Sequence, residues 1–543
     1  MAMDKVNVEE LKKRKDGLDV IHDIHRYAES GFASIDPLDF PLFRWYGLYQ
    51  QRPNDGYFMQ RLKVPNGNLT ARQLRCIAQI AMDFGRNLID ITTRQTFQYH
   101  WLTIDKVPEM FRRLAEVGIT TSGACGDITR NVVGCPVAGL DANEIVDAYP
   151  LLHQISNFLT DNKDFSNLPR KYKISMSGCH LHCAQPDINC VGFYAVREGS
   201  DVGFGLKVGG GLSTNPYFGA DMGVFLHSEE VLEVLKAVSE IYRDAPQLRE
   251  NRGRARLKFL MHDPKFGIGA AAFRARIEDK LGRKMRDGGP YPSPRDAETD
   301  HVGIQKQKQE GYYYVGIGVR AGRLSGDKLM NIAAVAEEFS STQSIRNTNK
   351  QNFIITHVPE AKLEQLKARL DQLELDYRPS VFKRALVSCT GIEFCNLAVT
   401  ETKEVGRRVS RELEERFPNA TKNIRIHFSG CPNNCGQNAI ADIGLRGARK
   451  TLPDGKIEEF FDILVGGATG EQRAFAEVST RRYPSDKIAD AIGNLYQAYL
   501  AWCSNGQIFQ DFIRAHNKEQ LDAIARGLPV PEAARAVAAA PAS

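Results

Sequence analysis

No stretch of this 543-residue chain approaches the ~20 consecutive apolar residues that cross a membrane. Its opening, MAMDKVNVEELKKRKDG, lacks the apolar segment of a secretion signal. A cytoplasmic location and no membrane partner are expected from these two absences. Thiols stay reduced there, so the 11 cysteines read as ligands or buried thiols and not as disulfides. Charge of one sign is also scarce. A net +5 would suit an acidic partner or an anionic substrate but more often marks a solvated surface, and the basic run from Lys12 to Lys15 reads as a helix face or a frayed start and not as a nucleic-acid arm. Neither VGGG (208–211) nor VGGA (465–468) is a G-x-G-x-x-G fingerprint, which leaves no dinucleotide-binding turn.

What the chain does have is cysteine in pairs. Cys389 and Cys395 stand in SCTGIEFC, and Cys431 and Cys435 in SGCPNNCGQ. Four thiolates in two short loops are what a [4Fe–4S] cube requires, one per iron. Gly, Asn and Pro around them let the backbone turn sharply about a bulky group. The spacings C-x5-C and C-x3-C differ from the C-x2-C of a zinc ribbon, so zinc is the weaker reading.

The length calls for roughly three or four domains, and the sequence repeats itself to supply them. KISMSGCHLHC, holding Cys179 and Cys183, matches RIHFSGCPNNC. TTRQTFQYH matches NTNKQNFIITH, RNVVGC with Cys135 matches RALVSC with Cys389, and LKVGGG matches ILVGGA. Four echoes in one order mean an ancestral duplication. Each copy reads as mixed α/β. Strands are expected over 172–176 and 424–428, and helices after the N-cap candidates Thr70 and Ser485. The first copy has no counterpart of Cys395. One cluster is therefore expected, in the second copy, with Cys135, Cys179 and Cys183 as structural relics.

The first copy instead offers cations: Arg94 in TTRQ, Arg130 in GDITRN, and Lys171 and Lys173 in LPRKYKI. The two lysines, at i and i+2, leave one face of a strand. Alone, such a pair marks a wet face. Next to an SGC loop that mirrors a cluster loop, it faces the metal site across a pseudo-twofold.

CTGIEFC and GCPNNCGQ, with TTRQTFQYH and NLPRKYK upstream, resemble the siroheme-dependent assimilatory sulphite and nitrite reductases over about Tyr57 to Asp522. The resemblance implies a duplicated α/β (α+β) fold, with two ferredoxin-like half-domains and two siroheme/[4Fe–4S] α/β domains around a pseudo-twofold. It implies one [4Fe–4S] cluster on Cys389, Cys395, Cys431 and Cys435, with Cys435 also bridging to the siroheme iron. It gives Arg94, Arg130, Lys171 and Lys173 the substrate anion. Proximity to these cations makes Gln95, Gln98, Asn131 and Arg170 candidate siroheme contacts. Siroheme carries eight carboxylates, so a cavity for it must supply many cations.

The implied reaction is six-electron reduction of sulphite to sulphide. Lys173 stands where sulphite-type relatives carry Lys and nitrite-type ones Asn. GCPVAGLD looks more like the nitrite branch, and reduction of nitrite to ammonia is the alternative. A non-catalytic Fe–S or zinc protein is the remote one. With no room for a flavin or NADPH domain, electrons come from a separate donor, ferredoxin, or alternatively a flavoprotein subunit. A monomer is expected.

The expected division is an extension over 1–50, half-domains over 51–120 and 304–378, α/β domains over 121–285 and 379–525, a Pro/Gly-rich linker over 286–303 and a disordered tail over 526–543. Cys76, Cys125 and Cys503 read as buried core thiols, and His100 and His182 as structural histidines.

Overall fold

The computed structural model describes residues 7–289, 291, 293, 300–503 and 506–530. Most of the linker's 290s and the tail from 531 lie outside the described residues. The chain forms two units. The first holds 1–211, 217–317 and 324–377; the second holds 212–216, 318–323 and 378–543. Among the described residues no helix is long and apolar enough to cross a membrane.

Two antiparallel five-stranded sheets carry the half-domain pattern. One runs Leu48–Gln50, Phe58–Arg61, Phe97–Leu102, Leu88–Ile91 and then Arg323–Ser325. The other runs Gly303–Lys306, Tyr312–Ile317, Phe353–Pro359, Ser344–Asn347 and then Asn68–Thr70. The last strand of each sheet therefore comes from the other half of the sequence. Thr70 pairs with Ser344 and Asn68 with Arg346, antiparallel.

Helices Ala71–Phe84 and Gly326–Phe339 follow these exchanged strands and pack on each other. Thr70 caps the first with a full capping box, its hydroxyl accepting from Gln73 N and the Gln73 side chain reaching back to Thr70 N. Leu74, Ile77, Ala78 and Ala81 fill its buried face, as helical spacing predicts. Gly326 begins the second helix where a Cβ would stand 2.9 Å from the Ala78 carbonyl oxygen.

The other two sheets have a common plan of two parallel pairings followed by antiparallel hairpins. In the first unit the order is Val133–Gly134, Ile174–Ser177, Val191–Glu198, Asp201–Val208 and Ala220–Asp221. In the second it is Leu386–Ser388, Ile426–Ser429, Ile443–Thr451, Ile457–Val465 and Glu477–Pro484. The strand pairs Val133/Ile174 and Leu386/Ile426 end beside the cysteine loops, so parallel pairing delivers two loops to one sheet end.

The backbone also records the duplication. Non-glycine residues with left-handed φ recur in matching places: Asn66 and Ala321, Asn87 and Gln343, Gln95 and Gln351, Trp101 and His357, His182 and Asn434, Gln185 and Gln437. Such conformations are uncommon outside glycine, so their repetition is inherited geometry.

Three local expectations shift. The strands at the SGC loops begin two residues later than expected, at Ile174 and Ile426. Ser485 opens a short 3-10 turn, Ser485–Lys487, and Lys487 takes the N-cap of Ile488–Trp502. The basic run does form a helix, Val8–Arg14, yet Lys12 is buried and donates to the Leu168 carbonyl at 3.0 Å.

Candidate active site

In the second unit, Cys389 directly follows the strand Leu386–Ser388, and Cys431 follows Ile426–Ser429 after Gly430. Cys389 N donates to the Phe428 carbonyl at 3.0 Å. Gly430 N donates to Cys389 Sγ at 3.2 Å, and Thr402 Oγ1 to the Cys389 carbonyl at 2.7 Å. Cys395 N donates to the Gly391 carbonyl at 3.0 Å, closing the first loop. The second is fixed by Gly436 N on Ser429 Oγ at 2.9 Å. Only glycine fits there, because a Cβ on residue 436 would stand 2.0 Å from the Phe428 carbonyl oxygen.

The four thiols feel one another. Burial pushes the Cys389 thiol up to about 12, and the charge of Cys435 adds to it. Burial also raises Cys431, with Cys435 and Cys395 contributing. Cys435 is the exposed member; among all the cysteines no other is exposed.

The first unit gathers cations. The parallel bridge Thr129–Tyr172 sets Arg130 beside the lysines, with Arg130 N donating to the Tyr172 carbonyl at 2.8 Å. Tyr172 is fully buried and stacks on Tyr242 at 5.3 Å. Lys171 and Lys173, half-buried on either side of it, share the opposite face. Arg94 donates to Asn189 Oδ1 at 2.9 Å and to the carbonyls of Asn131 and Ile174 at 2.6 and 3.2 Å. Its Nε is buried without a partner. Arg130 donates from Nε and Nη2 to the Gly126 carbonyl, at 3.3 and 2.9 Å.

All these acceptors are neutral. Among the described residues neither arginine pairs with a carboxylate, and the nearby acids are engaged elsewhere. Asp127 takes Arg170 at 2.9 Å and Arg252 at 2.7 Å, and Asp187 takes Lys207 at 2.6 Å. Burial holds Arg94 down to about 9, with repulsion from Arg130, Arg256 and Arg61 added. Burial likewise brings Lys258 to about 7, helped by Arg256 and Lys171. Clustered buried cations are stable only with an anion among them.

The amides named from sequence serve this cluster by holding it. Gln98 Oε1 accepts from Arg61 Nη2 at 2.8 Å. Asn131 Nδ2 donates to the carbonyls of Val64 and Arg94, at 2.7 and 2.8 Å. Gln95 Nε2 donates to the Gly134 carbonyl at 3.0 Å, and its Oε1 accepts from Gly134 N at 3.1 Å. Arg170 is turned to Asp127.

Cys125 is buried, as expected, and touches this site. Arg61 Nη1 lies 2.6 Å from its sulphur, and although burial alone would raise the thiol, Arg61 and Arg130 hold it below its ordinary range. His100 is buried between Asp90 and Gln51 at 3.2 and 3.3 Å, a structural role. Burial brings His182 down to about 4, leaving it neutral.

Sequence reasoning missed Arg61, Asn189, Arg256 and Lys258. The one signal for Arg256 was LKVGGG, because a Cβ on Gly211 would stand 2.5 Å from Arg256 Nη2. Lys258, in LKFLMH, left none.

Comparison with known proteins bears on both groups of residues. Residues 125–285 and 381–508 match the nitrite and sulphite reductase 4Fe-4S domain, and 49–117 and 305–373 the nitrite/sulphite reductase ferredoxin-like half domain. An assimilatory ferredoxin-dependent nitrite reductase of Haloferax mediterranei is 38% identical, over 92% of this chain and 90% of that one. A sulphite reductase [ferredoxin] of Mycobacterium tuberculosis is 37% identical, over 94% and 95%. The solved structure of the Mycobacterium tuberculosis NirA protein superposes with a TM-score of 0.89 at 37% identity, covering 94% of this chain and 97% of that one. The chain is thus an oxidoreductase with an iron–sulphur domain, a member of the nitrite and sulphite reductase family.

Proposed function

We propose that this protein reduces sulphite to sulphide by six electrons delivered from ferredoxin, at a siroheme coupled to one [4Fe–4S] cluster. The observation that carries the reading is the buried and half-buried cation group of Arg94, Arg130, Lys171, Lys173 and Lys258, whose arginines find only neutral acceptors in the chain itself. Cys389, Cys395, Cys431 and Cys435 would hold the cluster, and the exposed Cys435 is the one that would also face the siroheme. Siroheme, when bound, supplies an iron that passes electrons into the anion and breaks its bonds to oxygen.

The chain's own residues bind the anion, stabilise departing oxygen and feed protons. Arg94 and Arg130 grip oxyanion or carboxylate oxygens through fixed guanidinium forks. Lys171 and Lys173 add compact charges that move. A lysine held near 7, as Lys258 is, gives up a proton readily at working pH. Asn131 steadies Arg94 through its carbonyl, Gln98 holds Arg61, Gln95 fixes the backbone at Gly134, and Arg170 is tied back by Asp127. Sulphite, as a dianion, gains more than nitrite from the extra cation at Lys173.

The test measures both reductions side by side, with reduced ferredoxin and with NADPH, on the wild-type chain and on Lys173→Asn. Ferredoxin alone should support turnover, and the variant should lose more sulphite than nitrite activity, by about tenfold if one cation is worth ~1.4 kcal/mol to the transition state. Equal losses would remove Lys173 as the discriminator. A colourless protein that yields no tetrapyrrole on extraction would overturn the reading altogether.

A further inference from the structure

Three of the first unit's six cysteines, Cys135, Cys179 and Cys183, stand where the second copy has its cysteine loops, and sequence reasoning treats them as relics. They are not scattered. Cys135 follows the strand Val133–Gly134, and Cys179 and Cys183 lie in the loop after Ile174–Ser177. The Sγ atoms of Cys135 and Cys183 and a ring nitrogen of His301 all lie within 4.8 Å of one another. Cys135 Sγ and His301 Nε2 are 3.8 Å apart. Cys179, in the same loop, interacts electrostatically with both of the other thiols, its sulphur standing just outside that three-atom group. All four residues are buried, none more than 5% exposed.

These distances choose among possible occupants. A tetrahedral ion with sulphur at about 2.3 Å and nitrogen at about 2.0–2.1 Å sets its ligand atoms roughly 3.5–3.8 Å apart. An iron–sulphur cube holds its cysteines farther apart, since each binds a different iron. Among the described residues the cysteines at 389, 395, 431 and 435 form no group of three as tight as that of Cys135, Cys183 and His301. The chemistry agrees, because three thiols and one imidazole are a zinc ligand set.

The surroundings also suit a metal ligand. The second ring nitrogen of His301, Nδ1, lies 3.3 Å from Tyr314 Oη, which orients the ring with Nε2 toward the sulphurs. His301 has φ of 54°, a conformation in which histidine is tolerated better than bulky residues. The Cys183 carbonyl accepts from Asn349 Nδ2 at 2.6 Å, and Cys135 N donates to the Met176 carbonyl at 3.3 Å.

We propose that Cys135, Cys179, Cys183 and His301 form a closed, four-coordinate site for one structural zinc ion. The site has no open position, so its role is structural. Its fourth ligand, His301, stands at the end of the linker segment, just before the strand Gly303–Lys306, and the ion therefore clips the entry to the second copy to the sheet of the first. The proposal stands apart from the reduction reading and uses none of its residues.

Zinc and iron content of the native holoenzyme, with the zinc K-edge absorption spectrum, test it. About one zinc per chain with a shell of three sulphurs and one nitrogen is expected. Cys135→Ser and His301→Ala should each lose that zinc, whereas Cys431→Ser should lose iron and keep it. The wild-type spectrum decides the matter even if the variants fold poorly. Zinc below about a tenth of an ion per chain after growth with ample zinc would overturn the proposal. So would a shell of another composition, or zinc that survives in Cys135→Ser and leaves with Cys431→Ser.

Discussion

At Asp127 one carboxylate with no exposed surface gathers three cations: Arg252 at 2.7 Å, Arg170 at 2.9 Å and Lys12 at 3.6 Å. Breaking a buried network by removing one partner leaves charge uncompensated and costs about 3–5 kcal/mol. Asp127→Asn should lower the unfolding free energy by that order, as read from a denaturant midpoint. Burial alone would raise this carboxyl, but Arg170, Arg252 and Lys12 hold it below its ordinary value. Its contribution is therefore complete above about pH 4, the unfolded value, and is lost as pH falls further toward the folded value. Acid unfolding of the variant should lack that part of the pH slope.

Legibility varies residue by residue. Cysteine and arginine motifs carry their chemistry in the local string, so Cys389, Cys431, Arg94 and Arg130 could be picked out. Lys12 could not, because a lysine in a basic run looks solvated until the acid beneath it is known. Arg256 and Lys258 reach the cation group only through tertiary placement, which no local pattern encodes.

Among elements, the second cysteine loop is the tightest constraint. Asn434 and Gln437 have left-handed φ of 60° and 61°, and Gly436 lies between them against the Phe428 carbonyl. Gly436→Ala must displace that strand end. We expect a loss of about 1–3 kcal/mol in stability, the usual cost of overpacking, together with reduced iron content. Full iron with unchanged melting temperature would show that the loop yields more easily than its geometry implies. Helix Ala71–Phe84 was legible because its cap, its box and its apolar stripe all lie within the same residues. Ser485 does precede the helix Ile488–Trp502, but the intervening 3-10 turn gives the N-cap to Lys487.

For the whole molecule, repeated motifs announced the duplication, and four sheets in two matching kinds bear it out. The exchange of strands between halves was not legible, since Asn68–Thr70 reads alike whichever sheet receives it. The exchange predicts that one cut in the 290s, made by limited proteolysis, leaves both fragments together in gel filtration under native conditions. Their separation without denaturant would refute a shared sheet as the bond between them.

The exchanged strands also bear on history. A single ancestral copy would have had one sheet short of a strand and one strand with no sheet of its own to join. Two such chains satisfy each other by trading that strand, so the ancestor is best pictured as a swapped homodimer. Gene fusion then made the partnership permanent. The copies could then diverge, the second keeping four loop cysteines and the first gathering cations.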